Sequence, residues 1–250
     1  QTIAVTAEAV VEGKPLTDQW SIQVSEDPVD GWLTYRLIEP SYQMYHEVSI
    51  LERCVENFDE TAICDWQHTD NACMNCHFHG QSRGDYSLYY IRGPQGGSIL
   101  NQNGKLRKLS LKADGMLSAT VYGELHPGGR FGVFSTNVIL PSFHAEAVAR
   151  MEVFDSASDL TVADFENNRM INVPHVARAD AWETFPCFSA DGRAVFYCVA
   201  DTVSLPDGLM QAKYDLVRAD FDPETGLIGE QVDTVWSGGR PNAPGGPAEG

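Results

Sequence analysis

Apolar and polar residues alternate along much of this 250-residue chain, which is the pattern of β-strands that bury one face. Moderate alternation predicts a strand over residues 2–11. Strand-like runs lie at 18–24 and at 31–38, the latter rich in Trp, Leu, Tyr and Ile, and residue type predicts a strand over 86–92. Residues 43–53 carry a mixed pattern that does not separate helix from strand. Together these elements predict an all-β protein.

Two segments of the chain share one pattern, in which a glycine turn is followed by an alternating strand. They are LHPGGRFGVFS at 125–135 and FSADGRAVFYC at 188–198. Each is followed by a second strand that ends in an acidic turn, at 159–168 and at 215–226. Recurrence at intervals of about 55 to 65 residues is typical of β-propeller blades with insertions. The alternative fold is a β-sandwich whose hairpins are similar to one another.

The domain prediction follows from this repeat. We expect a β-propeller domain over residues 1–236, with about four blades' worth of sequence, and a Gly/Pro-rich tail or linker over 237–250. Asn103-Gly104 lies between two apolar runs and predicts a hairpin in an earlier blade. Residues 67–85 are polar and lack a helical pattern, so they are expected to form a loop or one short helical turn.

The net charge of the chain limits the kinds of molecule that it is expected to bind. The net charge of −18 argues against nucleic acid and against anionic membrane surfaces. It permits a basic partner protein, and the alternative is a solvated acidic surface that maintains solubility. No apolar run is long enough for a membrane-spanning helix. Gln1 is not a natural start, so we expect that an export leader has been removed.

The most distinctive motif is Cys73-Met-Asn-Cys76-His77, whose C-x-x-C-H pattern is typical of covalent attachment of c-type haem. Two thiols at this spacing can each add to one vinyl group of a porphyrin, and the following histidine can reach the iron from one face. The alternatives are a redox disulfide between Cys73 and Cys76 or half of a zinc site.

The sixth iron position is not determined by the motif. His144 is preferred as the distal ligand, because it lies on a loop remote from His77 and Phe143 beside it could pack on the porphyrin edge. The competing interpretation is an ordinary surface-loop histidine. The other candidates are His79, His68, His126 and Met74.

Four cysteines lie outside the motif, and in an oxidising compartment they could form two disulfides. Pairing Phe188 with Tyr197 would set Cys187 opposite Cys198, and Cys54 and Cys64 flank another turn. The alternative is that all four are free thiols that act as small apolar residues.

The segment FSADGRAVFY at 188–197 resembles the FSPDG-type blade motif of TolB-like (WD40-like) β-propellers. From residue 32 to 234 the chain resembles a branch of exported bacterial TolB-like proteins that carry one C-x-x-C-H between early blades. The resemblance implies thioether bonds at Cys73 and Cys76 and an iron ligand at His77. Such proteins resemble six-bladed propellers, so this chain is either a fragment of a six-bladed ring or completes the ring differently.

These observations predict an exported, periplasmic or cell-envelope-associated monohaem cytochrome c that transfers electrons. We expect a redox partner protein or envelope-complex subunits, with peripheral or lipid-anchored association and no nucleic acid. One alternative is an interaction or scaffold propeller of an envelope complex, in which the haem is structural or regulatory. Another is a haem enzyme with an open sixth position. No serine-nucleophile, P-loop or dinucleotide motif is present, so no catalytic residue is predicted.

Overall fold

The computed structural model describes residues 1–38, 47–92, 96–143, 151–205 and 208–239. Seventeen strands lie in these ranges, and the helical segments among them are 3-10 turns of three or four residues. None of these turns has the length and apolar character that a bilayer-crossing helix needs. The described chain is therefore all-β, as the alternating pattern predicts.

The chain divides into two compact units, of which the first contains residues 1–37 and 49–65. Its strands are β1 (Thr2–Val11), β2 (Lys14–Gln23), β3 (Trp32–Ile38), β4 (Val48–Cys54) and β5 (Glu60–Cys64). β1 and β2 form a hairpin, and β3, β4 and β5 form a three-stranded sheet. The strands predicted over 2–11 and 31–38 are confirmed, and the ambiguous run becomes β4 from Val48 onward.

Side-chain contacts join the three strands of the sheet in this unit. The Glu60 carboxylate on β5 accepts hydrogen bonds from Tyr35 on β3 and from Arg53 on β4. The Arg53 and Glu60 side chains are exposed to solvent and Tyr35 is half-buried, so this polar network adds little to stability.

The second unit holds three consecutive four-stranded antiparallel sheets, each with its strands in sequence order. Such successive meanders are propeller blades. Blade I contains β6 (Met74–His79), β7 (Tyr86–Ile91), β8 (Gly97–Gln102) and β9 (Lys105–Leu109). Blade II contains β10 (Thr120–Leu125), β11 (Phe131–Phe143), β12 (Met151–Asp164) and β13 (Arg169–Asn172). Blade III contains β14 (Ala181–Phe188), β15 (Ala194–Asp201), β16 (Tyr214–Asp222) and β17 (Leu227–Trp236).

The blades pack through apolar faces that their alternating sequences create. Between blades I and II the core includes Leu88, Leu100 and Phe134, and between blades II and III it includes Val162 and Val195. β14 packs against β10, β11 and β12, while β6 packs against β10. The first strands of successive blades are therefore neighbours, which is the propeller arrangement that the repeat predicts.

A chain of hydrogen bonds links the turns that follow these first strands. The Tyr86 hydroxyl donates to the His126 carbonyl at 3.1 Å, and His126 Nε2 lies 2.9 Å from the Gly192 carbonyl. The Gly128 N–H donates to His126 Nδ1 at 2.9 Å, which assigns the proton to Nε2. His126, only 6% exposed, therefore connects blade II to blade III through its ring.

The register of the β14–β15 hairpin differs from the prediction. A bulge lies between Thr184 and Cys187, so Cys187 faces Phe196 and Phe188 faces Val195. Cys198 is instead the partner of Thr184. The predicted register is therefore wrong, and both thiols are free, so of the two alternatives the free thiols are the one found for this pair.

Cys54 and Cys64 are also free thiols, so the alternative of free thiols is found for this pair too. Cys54 is buried at the end of β4, and Cys64 pairs with Ile50 across the sheet. Burial raises the pKa of the Cys64 thiol, and the neighbouring Asp65 adds to this rise.

The last strand that the structure describes ends where the sequence composition changes. β17 stops at Trp236, directly before the predicted tail, and residues 237–239 have no regular structure. Residues 240–250 lie outside the described residues. That 1–236 forms a single propeller domain remains a prediction.

Candidate functional site

The C-x-x-C-H motif enters blade I through a short ordered turn. A 3-10 turn over Trp66–Thr69 is followed by Asp70 and Asn71, whose φ angles of 53° and 61° are left-handed. Aspartate and asparagine tolerate this conformation better than most residues. The Arg92 N–H then donates to the Cys73 carbonyl at 2.8 Å, which holds Cys73 at the start of β6.

Residues 74–79 of the motif segment form a β-strand, so the expectation of a loop over 67–85 is wrong for them. Pairing with β7 overrides the polar composition, because Met74 lies opposite Ile91 and His77 opposite Tyr89. Two residues of β6 thus face one residue of β7, which is a β-bulge at Asn75 and Cys76. The bulge bends the strand between the two motif cysteines. The Cys76 side chain lies outside the described residues.

The two faces of β6 have different environments. Phe78 contacts the core of blades I and II, where its ring meets that of Phe134 edge-on at 6.2 Å. His77 and His79 lie on the opposite face, since cross-strand partners share a face and these residues pair with Tyr89 and Ser87. Packing of Phe78 therefore determines which way both imidazoles point.

The two histidines form one half-buried cluster. Their ring centroids are 6.0 Å apart with an angle of 81° between the planes. His79 Nδ1 lies 3.3 Å from the Arg83 carbonyl, whereas His79 Nε2 is buried and has no hydrogen-bond partner among the described residues. A buried polar atom without a partner is uncommon in a folded protein. A bound polar group would give this nitrogen a partner.

These residues fit a c-type haem in their donor chemistry. Cys73 is a half-buried free thiol, and His77 is half-buried four residues further along. His79 supplies a second imidazole beside them with a buried nitrogen that lacks a partner. No group of three or more metal-binding side chains is found within the ranges that the structure describes, where the Cys76 thiol is not included.

The structure also bears on the candidates for the sixth iron position. His126 is excluded, because the Gly128 N–H and the Gly192 carbonyl engage both ring nitrogens between blades II and III. His79 and Met74 share the face of β6 that carries His77, which is the wrong side for a ligand opposite His77. His144 and the His68 side chain lie outside the described residues, so the prediction for His144 stands untested.

The sequence did not single out a second polar site at the start of blade III. Glu183 is 1% exposed, and Arg178 Nε donates to its Oε1 at 3.1 Å. Burial raises the pKa of Glu183 to about 7, with Arg178 opposing the rise and the Asp159 charge adding to it. A glutamate inside the apolar run AWETF was the only signal in the sequence.

A third feature is an aromatic cavity of about 300 Å³ between blades II and III. Aromatic rings from both blades line it together with the carboxyl group of Asp155. These residues are far apart in sequence, so no motif pointed to them. The aromatic residues are Tyr122, Phe154, Trp182, Phe185 and Tyr214.

Comparisons with known proteins are consistent with the fold. No family model and no curated protein sequence matches the chain. Similar solved structures include the tricorn protease, at 11% identity and a TM-score of 0.45, with 86% of this chain and 20% of that chain covered. This chain thus spans about a fifth of that protein's length.

Two further similar structures are TolB proteins. The one from Acinetobacter baumannii is 11% identical with a TM-score of 0.36, covering 94% of this chain and 69% of that one. The one assigned as TolB from Agrobacterium tumefaciens is 14% identical with a TM-score of 0.41, covering 94% and 84%. At such low sequence identities and TM-scores, these similarities give no information about function. The architecture rests on the three blades, and the chain is an all-β protein built on the plan of a β-propeller.

Proposed function

We propose that this protein is an exported monohaem cytochrome c in which a propeller scaffold holds one covalent haem for electron transfer. The observation that carries the proposal is the C-x-x-C-H motif on the first strand of blade I. The Nε2 atom of His79 beside His77 supports it, because this buried nitrogen has no partner among the described residues and a bound group would supply one.

The attachment chemistry needs only the two thiols. Cys73 and Cys76 would each add across one vinyl group, so that a carbon–sulfur bond would form and the thiol hydrogen would pass to the other vinyl carbon. No oxidant or reductant is consumed in this addition. When bound, haem c supplies an iron that alternates between two oxidation states.

The chain's own residues would set the environment of that iron. His77 would bind it from one face, held in direction by the pairing with Tyr89 and the packing of Phe78. The neighbouring His79 ring would limit water access on the same side. We propose His144 as the ligand on the opposite face and place the protein in the periplasm or at the cell envelope.

Intact mass of protein produced with the haem-attachment machinery tests the proposal. We expect the polypeptide mass plus one haem, together with the spectrum of a thioether-linked haem. The variant Cys73→Ala/Cys76→Ala should lose both signals, whereas Cys187→Ala, which removes an exposed thiol elsewhere, should keep them. A bare polypeptide mass, in cells that mature a control cytochrome, would contradict the proposal.

A separate variant tests the proposal that His144 binds the iron. His144→Ala should retain covalent haem but lose the low-spin spectrum, because the iron loses its sixth ligand. An unchanged spectrum and midpoint potential would exclude His144.

A second candidate function is an interaction scaffold of an envelope complex. Large apolar side chains on the first unit favour it, since Trp20 is 48% exposed and Trp32 is 54% exposed. Exposed apolar surface of this kind marks protein-binding sites. Absence of haem together with a stable complex in cell-envelope extracts would favour this function over electron transfer.

A further inference from the structure

The aromatic cavity between blades II and III lies at a definite end of the blades. The turns after β6, β10 and β14 are joined at one end by the hydrogen bonds of His126 and Tyr86. The cavity is formed at the other end, where β10, β12, β14 and β16 begin. Propeller strands begin and end at the two faces of the disc, so the cavity opens on a face and not in the core.

The Asp155 carboxylate is the charged group of this cavity. Asn137 Nδ2 donates to Asp155 Oδ2 at 2.9 Å, and Asn137 is itself 4% exposed. The Ser135 hydroxyl lies 2.7 Å from Asn137 Oδ1, and Asn137 Nδ2 lies 3.3 Å from Thr184 Oγ1. The carboxylate is therefore oriented by a buried polar network that belongs to two blades.

This carboxylate lacks a positive partner in the described part of the chain. Burial raises the pKa of Asp155, and the one opposing influence is the Asn137 amide. Burial also raises the pKa of the nearby Tyr214 phenol, and the negative charge of Asp155 adds a smaller rise. A half-buried carboxylate that is hydrogen-bonded but not ion-paired favours the approach of a cation.

Aromatic side chains line the same cavity as this charge, and one of them is held in a strained backbone. The rings of Tyr122 and Phe185 lie 4.5 Å apart. Phe185 has a φ of 52° at the bulge of β14, a left-handed conformation that is rare for a bulky residue. Bulges redirect side chains, and this one holds the Phe185 ring against Tyr122.

We propose that this cavity binds a small organic cation of the alkylated-ammonium class. Aromatic faces attract such cations through their quadrupoles, and the Asp155 carboxylate supplies the counter-charge. A volume of about 300 Å³ suits a small ligand of this kind. The net charge of −18 raises the local concentration of cations around the protein. This activity goes beyond electron transfer and does not depend on haem.

Titration calorimetry of the full chain with choline tests the proposal, with 3,3-dimethyl-1-butanol as its uncharged isostere. We expect choline to bind and the isostere to bind about tenfold more weakly or not at all, because only the former has a positive charge. Equal affinity for the two probes would overturn the proposal, because it would show that the cavity binds apolar groups without selecting for a cation. No heat of binding at about 10 mM choline would overturn the proposal as well.

Two variants assign the binding to this cavity. Asp155→Asn should weaken choline binding by about tenfold or more, because it removes the charge but keeps the shape. Phe185→Ala, at a residue that is 54% exposed, should weaken it without unfolding the protein. Asp233→Asn is the matched control, since it removes the same charge from an exposed position on β17. Equal loss in the control, or unchanged binding in both cavity variants, would place the cation elsewhere.

Discussion

At the residue scale, Glu183 is a buried carboxyl group in which only one of the two oxygens has a hydrogen-bond partner among the described residues. Glu183 Oε1 accepts from Arg178, but Glu183 Oε2 is buried and has no partner among the described residues. Arg178 is itself 41% exposed, so water weakens the compensation that it offers. Ionised Glu183 therefore destabilises the folded protein relative to its protonated form.

Glu183→Gln should alter the pH dependence of stability. The folded pKa of Glu183, about 7, lies above the value near 4.5 of a free glutamate, so the folded state binds more protons between these values. The protonated group therefore stabilises the folded state at low pH, and this stabilisation is lost as pH rises through about 7. The amide does not ionise, so the variant should gain about 2–3 kcal/mol relative to the native protein between about pH 5 and pH 8.

Urea unfolding at several pH values measures this change. Glu56→Gln, at an exposed position, is the control and should leave the pH profile parallel to that of the native protein. If the Glu183→Gln profile were also parallel, the carboxyl would not titrate in this range.

At the element scale, two glycine turns with the same backbone conformation have different surroundings. Gly104 has a φ of 78° in the β8–β9 hairpin, and an added Cβ would meet no atom within 4 Å. Gly192 has a φ of 69° in the β14–β15 turn, where an added Cβ would lie 2.3 Å from His126 Nε2. Gly104 is required only by the conformation of its own turn. Gly192 also leaves the space that the His126 ring occupies between the blades.

Alanine at the two positions should separate these roles. Gly104→Ala should lower the free energy of unfolding by about 1–2 kcal/mol, the usual strain of a left-handed alanine. Gly192→Ala should lose a further 1–3 kcal/mol or so, because the methyl group displaces His126 from its hydrogen bond. Urea midpoints of the two variants give the comparison. Equal losses would mean that the His126 contact does not join the blades.

At the scale of the whole molecule, the charge of −18 dominates long-range behaviour. A large net negative charge attracts cationic reagents and repels anionic ones, and salt screens both effects. For a protein that exchanges electrons with a partner, this charge would select basic partners during encounter.

The haem-bearing protein should therefore show opposite salt effects with two oxidants. Its oxidation by tris(phenanthroline)cobalt(III), a cation, should slow as salt is added, whereas oxidation by ferricyanide should accelerate. Stopped-flow measurements at about 10 mM and about 200 mM ionic strength test this, and they rest on the proposed function. Rates that change in the same direction for both reagents would contradict steering by the net charge.

The sequence by itself determined the features that depend on neighbouring residues. Alternation located β1, strand-forming residue types located β3, Asn103-Gly104 predicted the β8–β9 hairpin, and the repeated glycine turns predicted the blades. Composition also marked the end of β17 at Trp236. These features follow from local backbone preferences and from side-chain period, so they can be predicted without knowledge of the fold. The C-x-x-C-H motif likewise identified Cys73 and His77 as residues to examine.

Only the tertiary structure decided the features that depend on residues distant in sequence. Pairing with β7 made a strand of the motif, and the bulge before Cys187 separated the cysteines that simple alternation would have paired. Packing of blade III against blade II engaged both nitrogens of His126 and enclosed Asp155 among aromatic rings. Such environments arise from burial and from contacts across about 60 residues of chain, and no local pattern encodes them.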